Sequence, residues 1–141
     1  MRLAALPFGI VFLLLPADAA LAQPGAGSSI KQDQQSPTEV AMVDEGAKGM
    51  LFRHFPTGLR LYISDRDPAG GSVCYLGCDT IWLPVKAPDG ARPVGDWTIV
   101  VRTGGGTQWA YKGKPVYVRI HDTPDAPAGD GDEGGVWHLL K

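Results

Sequence analysis

The sequence repeats itself. Displacing the chain by about 55 residues lays Gly58 on Gly113, Tyr62 on Tyr117, Asp67 on Asp122 and Trp82 on Trp137. Ile63 then meets Val118 and Ile81 meets Val136, so both copies read Gly-x3-Tyr-x4-Asp, followed by an apolar residue and a tryptophan. The chain has only 4 tyrosines and 4 tryptophans, and half of each fall on the repeat, which points to duplication. Each copy, at about residues 58–85 and 113–140, is too short to bury an apolar face by itself. The two are therefore expected to pack around a shared interior. Trp82, Trp109 and Trp137 are assigned to that repeat core, with polar tips reaching hydrogen-bond partners.

The local pattern predicts a mainly β fold, a small domain of two tandem β repeats joined by hairpins, with little helix. Met50–Phe55 and Leu59–Ser64 are strand-like and separated by the turn Pro56-Thr57-Gly58; Asp65–Ser72 is a loop. Trp97–Arg102, the glycine run Gly104–Gly106 and Thr107–Tyr111 predict a hairpin. Val116–Ile120 follows the turn Lys112–Pro115, and Val136–Leu140 is the last strand. No window keeps a helical period, so at most one helical turn is expected, around Cys74–Trp82. The 19 glycines and 12 prolines suit a chain of many turns.

The amino terminus predicts export. Met1-Arg2 precedes an apolar run, Leu6 to Leu15, and small residues close the segment, with Ala20-Leu21-Ala22 before Gln23 as the cleavage site. The run is well short of the ~20 residues that span a bilayer, and Asp18 follows it closely. Residues 1–22 are read as a signal peptide and 23–46 as a flexible leader, because Gln, Ser, Pro and Gly bury too little surface to offset the entropy of ordering. The folded domain is expected over 47–141, outside the cytoplasm, periplasmic or secreted, with no membrane span in the mature chain. A net charge of −2 and no basic cluster argue against a nucleic-acid partner.

Cys74-Tyr75-Leu76-Gly77-Cys78, Trp82-Leu83-Pro84, Gly95-Asp96-Trp97, Gln108-Trp109-Ala110-Tyr111-Lys112-Gly113-Lys114-Pro115-Val116-Tyr117 and Gly134-Gly135-Val136-Trp137-His138 resemble a bacterial family, the secreted lipoprotein-repeat group of unknown function with a tandem Tyr-x-aromatic-x-x-Asp motif. The resemblance covers Leu59 to Leu140. It implies an exported domain and no settled activity. Ser64 and Arg119 stand where the motif has its aromatic residue, so an aromatic binding surface does not carry over to those two positions. Lipid anchoring, frequent in the family, finds no cysteine near the cleavage site.

Chemistry is sparse. Two cysteines in an oxidising compartment predict a structural disulfide, Cys74–Cys78. The alternative is a redox or copper-handling pair, for which His54, His121 and His138 are the histidines able to supply imidazole. Asp122, Asp125, Asp130, Asp132 and Glu133 sit in one Gly- and Pro-rich connection, read as a solvated loop, with a calcium-stabilised structural domain as the other reading. Asp67 and Asp122 are also suited to capping turns through backbone amides. Ser64 and Ser72 lack a nucleophile-elbow context and no His-Glu-x-x-His occurs, so no catalytic residue is assigned. The expectation is a non-enzymatic binding module for an unknown protein or small ligand, without cofactor or metal, presenting Tyr62, Asp67, Tyr117, Asp122 and His138 on the loops of a rigid β scaffold.

Overall fold

The computed structural model describes residues 35–141; residues 1–22, read above as a signal peptide, and residues 23–34 of the expected leader lie outside the described residues. The strands are β1 (Val40–Asp44), β2 (Met50–His54), β3 (Tyr62–Ser64), β4 (Trp82–Pro84), β5 (Trp97–Val101), β6 (Thr107–Tyr111), β7 (Lys114–Pro115), β8 (Tyr117–Arg119) and β9 (Trp137–Leu139). Helix is confined to single turns at Gly46–Lys48, Cys78–Thr80 and α1 (Asp132–Gly135). Three antiparallel groups result: the pair β1–β2, a four-stranded sheet in the order β4-β8-β3-β9, and a three-stranded sheet β5-β6-β7.

The four-stranded sheet is the duplication made physical. Tyr62 pairs with Tyr117 at its centre. On one side β4 lies on β8, with Trp82 opposite Arg119, Leu83 opposite Val118 and Pro84 opposite Tyr117. On the other, β9 lies on β3, with Trp137 opposite Ser64, His138 opposite Ile63 and Leu139 opposite Tyr62. Every pair in the first set maps onto the second under the sequence repeat. The amides obey the same rule: Ile120 donates to Ile81 as Asp65 donates to Val136, and Val85 donates to Val116 as Leu140 donates to Leu61. Each unit therefore lends its last strand to the other, around an approximate twofold axis between the tyrosines.

Both outer edges are blocked, by different means. An open edge strand offers unpaired amides to any passing strand. On β9 the outward amide of Leu139 donates to Asp130 Oδ1 at 2.9 Å. At the matching position β4 has Pro84, which carries no amide to satisfy.

There are two interiors where one was expected. The first holds Tyr62, Cys74, Trp82, Tyr117 and Trp137. The second lies between the hairpin β5–β6 and the pair β1–β2 and includes Phe52, Leu61, Val85, Trp97, Trp109 and Val116. Trp109 thus leaves the repeat core to which the sequence pattern assigned it. Its counterpart in the first unit is His54, so the duplication never required it at the axis. The start of the domain also moves. Strand β1 falls inside the stretch read as leader, because β2 and a neighbouring core stabilise it: Val40 is buried with Phe52, Glu39 Oε2 accepts the Trp109 indole N–H at 3.1 Å, and Glu45 receives both Arg53 and Arg60.

One glycine is forced by packing alone. A Cβ on Gly129 would lie 2.5 Å from Trp82 Cη2 and 2.7 Å from Arg119 Cδ. Gly129→Ala should cost about 1–3 kcal/mol, read from urea unfolding, whereas an added methyl at Cys74's end of the axis already exists as that residue's own Cβ. An unchanged midpoint would contradict the packing described for the tryptophan pair.

Candidate functional site

The expected site residues are brought together, but not at the surface. Tyr62 and Tyr117 are fully buried, Asp67 is 2% exposed and Asp122 8%. Each tyrosine crosses the axis to the aspartate of the opposite unit: Tyr62 Oη donates to Asp122 Oδ2 at 2.5 Å, and Tyr117 Oη donates to Asp67 Oδ2 at 2.7 Å. The second carboxylate oxygen of each aspartate accepts a backbone amide, that of Val73 at 2.8 Å on Asp67 and that of Ala128 at 3.2 Å on Asp122. These amides are themselves equivalent under the repeat. The aspartates thus cap their own loops, as their residue type suggested, and bind the other unit's strand. Four of the five residues proposed for a ligand surface are corrected to an internal lock.

Trp82 and Trp137 seal the lock. Their rings stack with centroids 3.8 Å apart and an interplanar angle of 9°. Each meets its own unit's tyrosine edge-on, Trp82 with Tyr62 and Trp137 with Tyr117, both at 5.1 Å. Burial, with the bond to Asp122 next, pushes the Tyr62 phenol well above its ordinary range. Burial does the same to Tyr117, where the bond to Ser72 opposes the shift and that to Asp67 adds to it. Neither ring is available as an acid or nucleophile near neutral pH.

The loops that close each unit differ. In the first, the disulfide Cys74–Cys78 ties the loop over the tryptophans, with Cα atoms 5.1 Å apart. The chain-entropy gain from so short a loop is about 2 kcal/mol. In the second, charges do this work: Arg119 Nε bonds Asp132 Oδ2 at 2.9 Å, Arg66 pairs with Glu133, and Glu133 Oε1 accepts the Trp137 indole N–H at 3.1 Å. The acidic connection is therefore divided among separate partners. Among the described residues no group of three or more His, Cys, Asp and Glu side chains is placed to hold a metal ion. Arg119, at the motif's aromatic position, lies 5.8 Å over the Trp82 ring, and Ser64, at the other, is buried and accepts the Arg66 amide at 3.2 Å.

His138, the fifth residue, is partly exposed, and its Nε2 lies 2.8 Å from Asp65 Oδ2. Under the repeat the positions equivalent to this pair are Leu83 and Ile120. They are exposed, at 39% and 47%, beside Ile81 at 45%. The β3–β9 side of the sheet thus has a polar pair at the place where the β8–β4 side has bare apolar surface, and Leu83 there lines a cleft of about 440 Å³. Leu83, Pro84 and Val85 of the β4 segment, Val118 of β8 and Leu59 form its walls; His54, Thr57 and Lys86 supply polar groups. Burial pushes the His54 imidazole down and the nearby Glu39 carboxylate partly opposes this, so the ring is neutral at pH 7. Apolar periodicity hid the cleft in the sequence: Leu83 and Val118 read as ordinary strand residues, and only the mismatch of Leu83 with His138 across the repeat marks the place.

Comparison with known proteins agrees with this architecture. Residues 98–141 match the family model of a secreted repeat of unknown function. The matched stretch runs from hairpin β5–β6 through the whole second unit, so this part of the chain is similar to that secreted repeat. No curated protein and no solved structure matches the chain significantly. The likeness of the first unit to the second rests on strand register and the crossed bonds. Among the described residues no helix is long and apolar enough to cross a membrane.

Removing either phenol hydroxyl leaves a buried carboxylate without its partner, so Tyr62→Phe and Tyr117→Phe should each lose about 1–3 kcal/mol at pH 7. The alkaline limb has a fixed sign. A folded-state pKa above the unfolded value of about 10 means that the unfolded chain releases protons first, so stability is intact below pH 10 and falls as pH rises beyond it. Each Phe variant should shallow that fall, measured as urea midpoint against pH.

Proposed function

We propose that this chain is an exported, non-enzymatic binding module whose ligand enters the cleft between β4, β8 and the turn after β2. One observation supports the reading above others: two sides of the four-stranded sheet that agree in strand pairing differ at this patch, the β3–β9 side carrying the His138–Asp65 pair and the β8–β4 side exposed Leu83 and Ile120. Core equivalence follows from folding. Exposed apolar side chains beside a concavity of ligand size do not, since they cost solvation without stabilising the domain. The scaffold is suited to the task, because the cleft is built on two strands that the crossed tyrosine bonds hold rigidly.

The disulfide fits the same reading better than a redox or copper role. Both sulfurs are bonded to each other, Cys74 is 3% exposed, and the loop they close packs on the tryptophan stack. The acidic loop likewise favours no calcium-stabilised reading, four of its five carboxylates being held by Tyr62, Arg119, Arg66, Trp137 and backbone amides.

A neutral apolar fluorophore such as Nile red tests the cleft without presuming a ligand. It should bind the native protein saturably at one site. The double variant Leu83→His/Ile120→Asp copies the repeat-equivalent surface pair His138–Asp65 and should fold, yet lose at least tenfold in Nile red affinity. Equal binding by the variant, with unfolding midpoints matched, would remove the cleft from consideration.

A further inference from the structure

Building on the reading of this cleft as the binding site, we infer that its ligand is an anionic amphiphile, an apolar chain ending in a carboxylate and taken up as a single soluble molecule. The walls specify the chain: Leu59, Leu83, Pro84, Val85 and Val118 present little but hydrocarbon. A volume of about 440 Å³ lies in the range of small-molecule sites.

The polar groups specify the head. No acidic residue lines the cleft, and Lys86 at its rim is exposed and meets no carboxylate among the described residues. Many other cations are already committed, Arg53 and Arg60 to Glu45 and Arg119 to Asp122 and Asp132. His54 adds a directed donor. Thr57 Oγ1 accepts the Leu59 amide at 3.3 Å and lies 2.9 Å from His54 Nδ1. That hydroxyl can give its own proton to Nδ1, the arrangement in which the ring proton sits on Nε2. In that tautomer the cleft offers an N–H together with the Lys86 ammonium, a pair that satisfies a carboxylate and repels an ammonium head. Glu39, whose charge reaches His54, is itself held by the Trp109 indole.

The same features favour a free molecule over a bilayer. Binding to an anionic membrane surface draws on clusters of several Lys and Arg, whereas this chain has a net charge of −2 and the cleft has one lysine. The apolar residues also line a concavity, which accepts a chain end more readily than it inserts into lipid.

Calorimetric titration of the whole purified chain with decanoate, 1-decanol and decylammonium, each below its micelle concentration, decides the matter. Decanoate should bind one per chain and at least tenfold more tightly than decylammonium. Lys86→Gln should weaken decanoate about fivefold and leave decanol unchanged. Leu83→His/Ile120→Asp should weaken both. Equal affinity for all three probes overturns the carboxylate assignment while Nile red binding keeps the cleft as a site; loss of Nile red binding as well would remove both readings. Lysine-dependent co-sedimentation with phosphatidylglycerol vesicles, without decanoate binding, would overturn the soluble ligand in favour of a membrane.

Discussion

Two buried hydrogen bonds, Tyr62 to Asp122 and Tyr117 to Asp67, organise this domain. A carboxylate taken out of water is costly unless its oxygens find donors. Here each aspartate finds one donor in its own loop and one in the tyrosine of the other unit. Neither unit can satisfy its aspartate alone, so folding of one half demands the other. The tryptophan stack depends on the same arrangement, because each indole is held edge-on by a tyrosine that the bond has already oriented. Strand exchange then follows: β4 reaches β8 and β9 reaches β3, with Tyr62 and Tyr117 paired between them.

Around this common centre the halves diverge, and each difference has a physical substitute. Pro84 removes an outward amide where Asp130 satisfies one. A disulfide closes one loop and a group of charge pairs closes the other. Ser72 Oγ stands between Tyr117 Oη and the Cys74 amide, where Gly129 donates its amide to Tyr62 Oη directly. These exchanges conserve what each place needs. The substitution of Leu83 and Ile120 for His138 and Asp65 conserves nothing structural, which is why function is sought there.

Much of the fold was legible in residue spacing. The duplication, the β5–β6 hairpin, the disulfide and the loops all followed from repeat positions, turn residues and cysteine arithmetic. The strands β1 and β4 did not. Val40–Asp44 is short and flanked by polar residues, and it is ordered by contacts with Phe52, Trp109 and the arginines that flank Glu45. Trp82–Pro84 carries a proline and follows a helical turn, so local rules favoured a connection there. The candidate site was legible only as an asymmetry, since nothing about Leu83 or Lys86 alone separates a cleft wall from a surface strand.

The sequence by itself determined which positions are equivalent, because a duplicated segment keeps its spacing of tyrosine, aspartate and tryptophan whatever path the chain takes. It also determined that the cysteines, five positions from first to last, would meet each other. Only the tertiary structure decided that the equivalent residues serve one another across an axis, and that the conspicuous Tyr and Asp residues are interior while Leu83, Ile120 and Lys86 face solvent. The reason is that partner choice depends on how strands from distant parts of the chain lie side by side, and a one-dimensional spacing does not encode that.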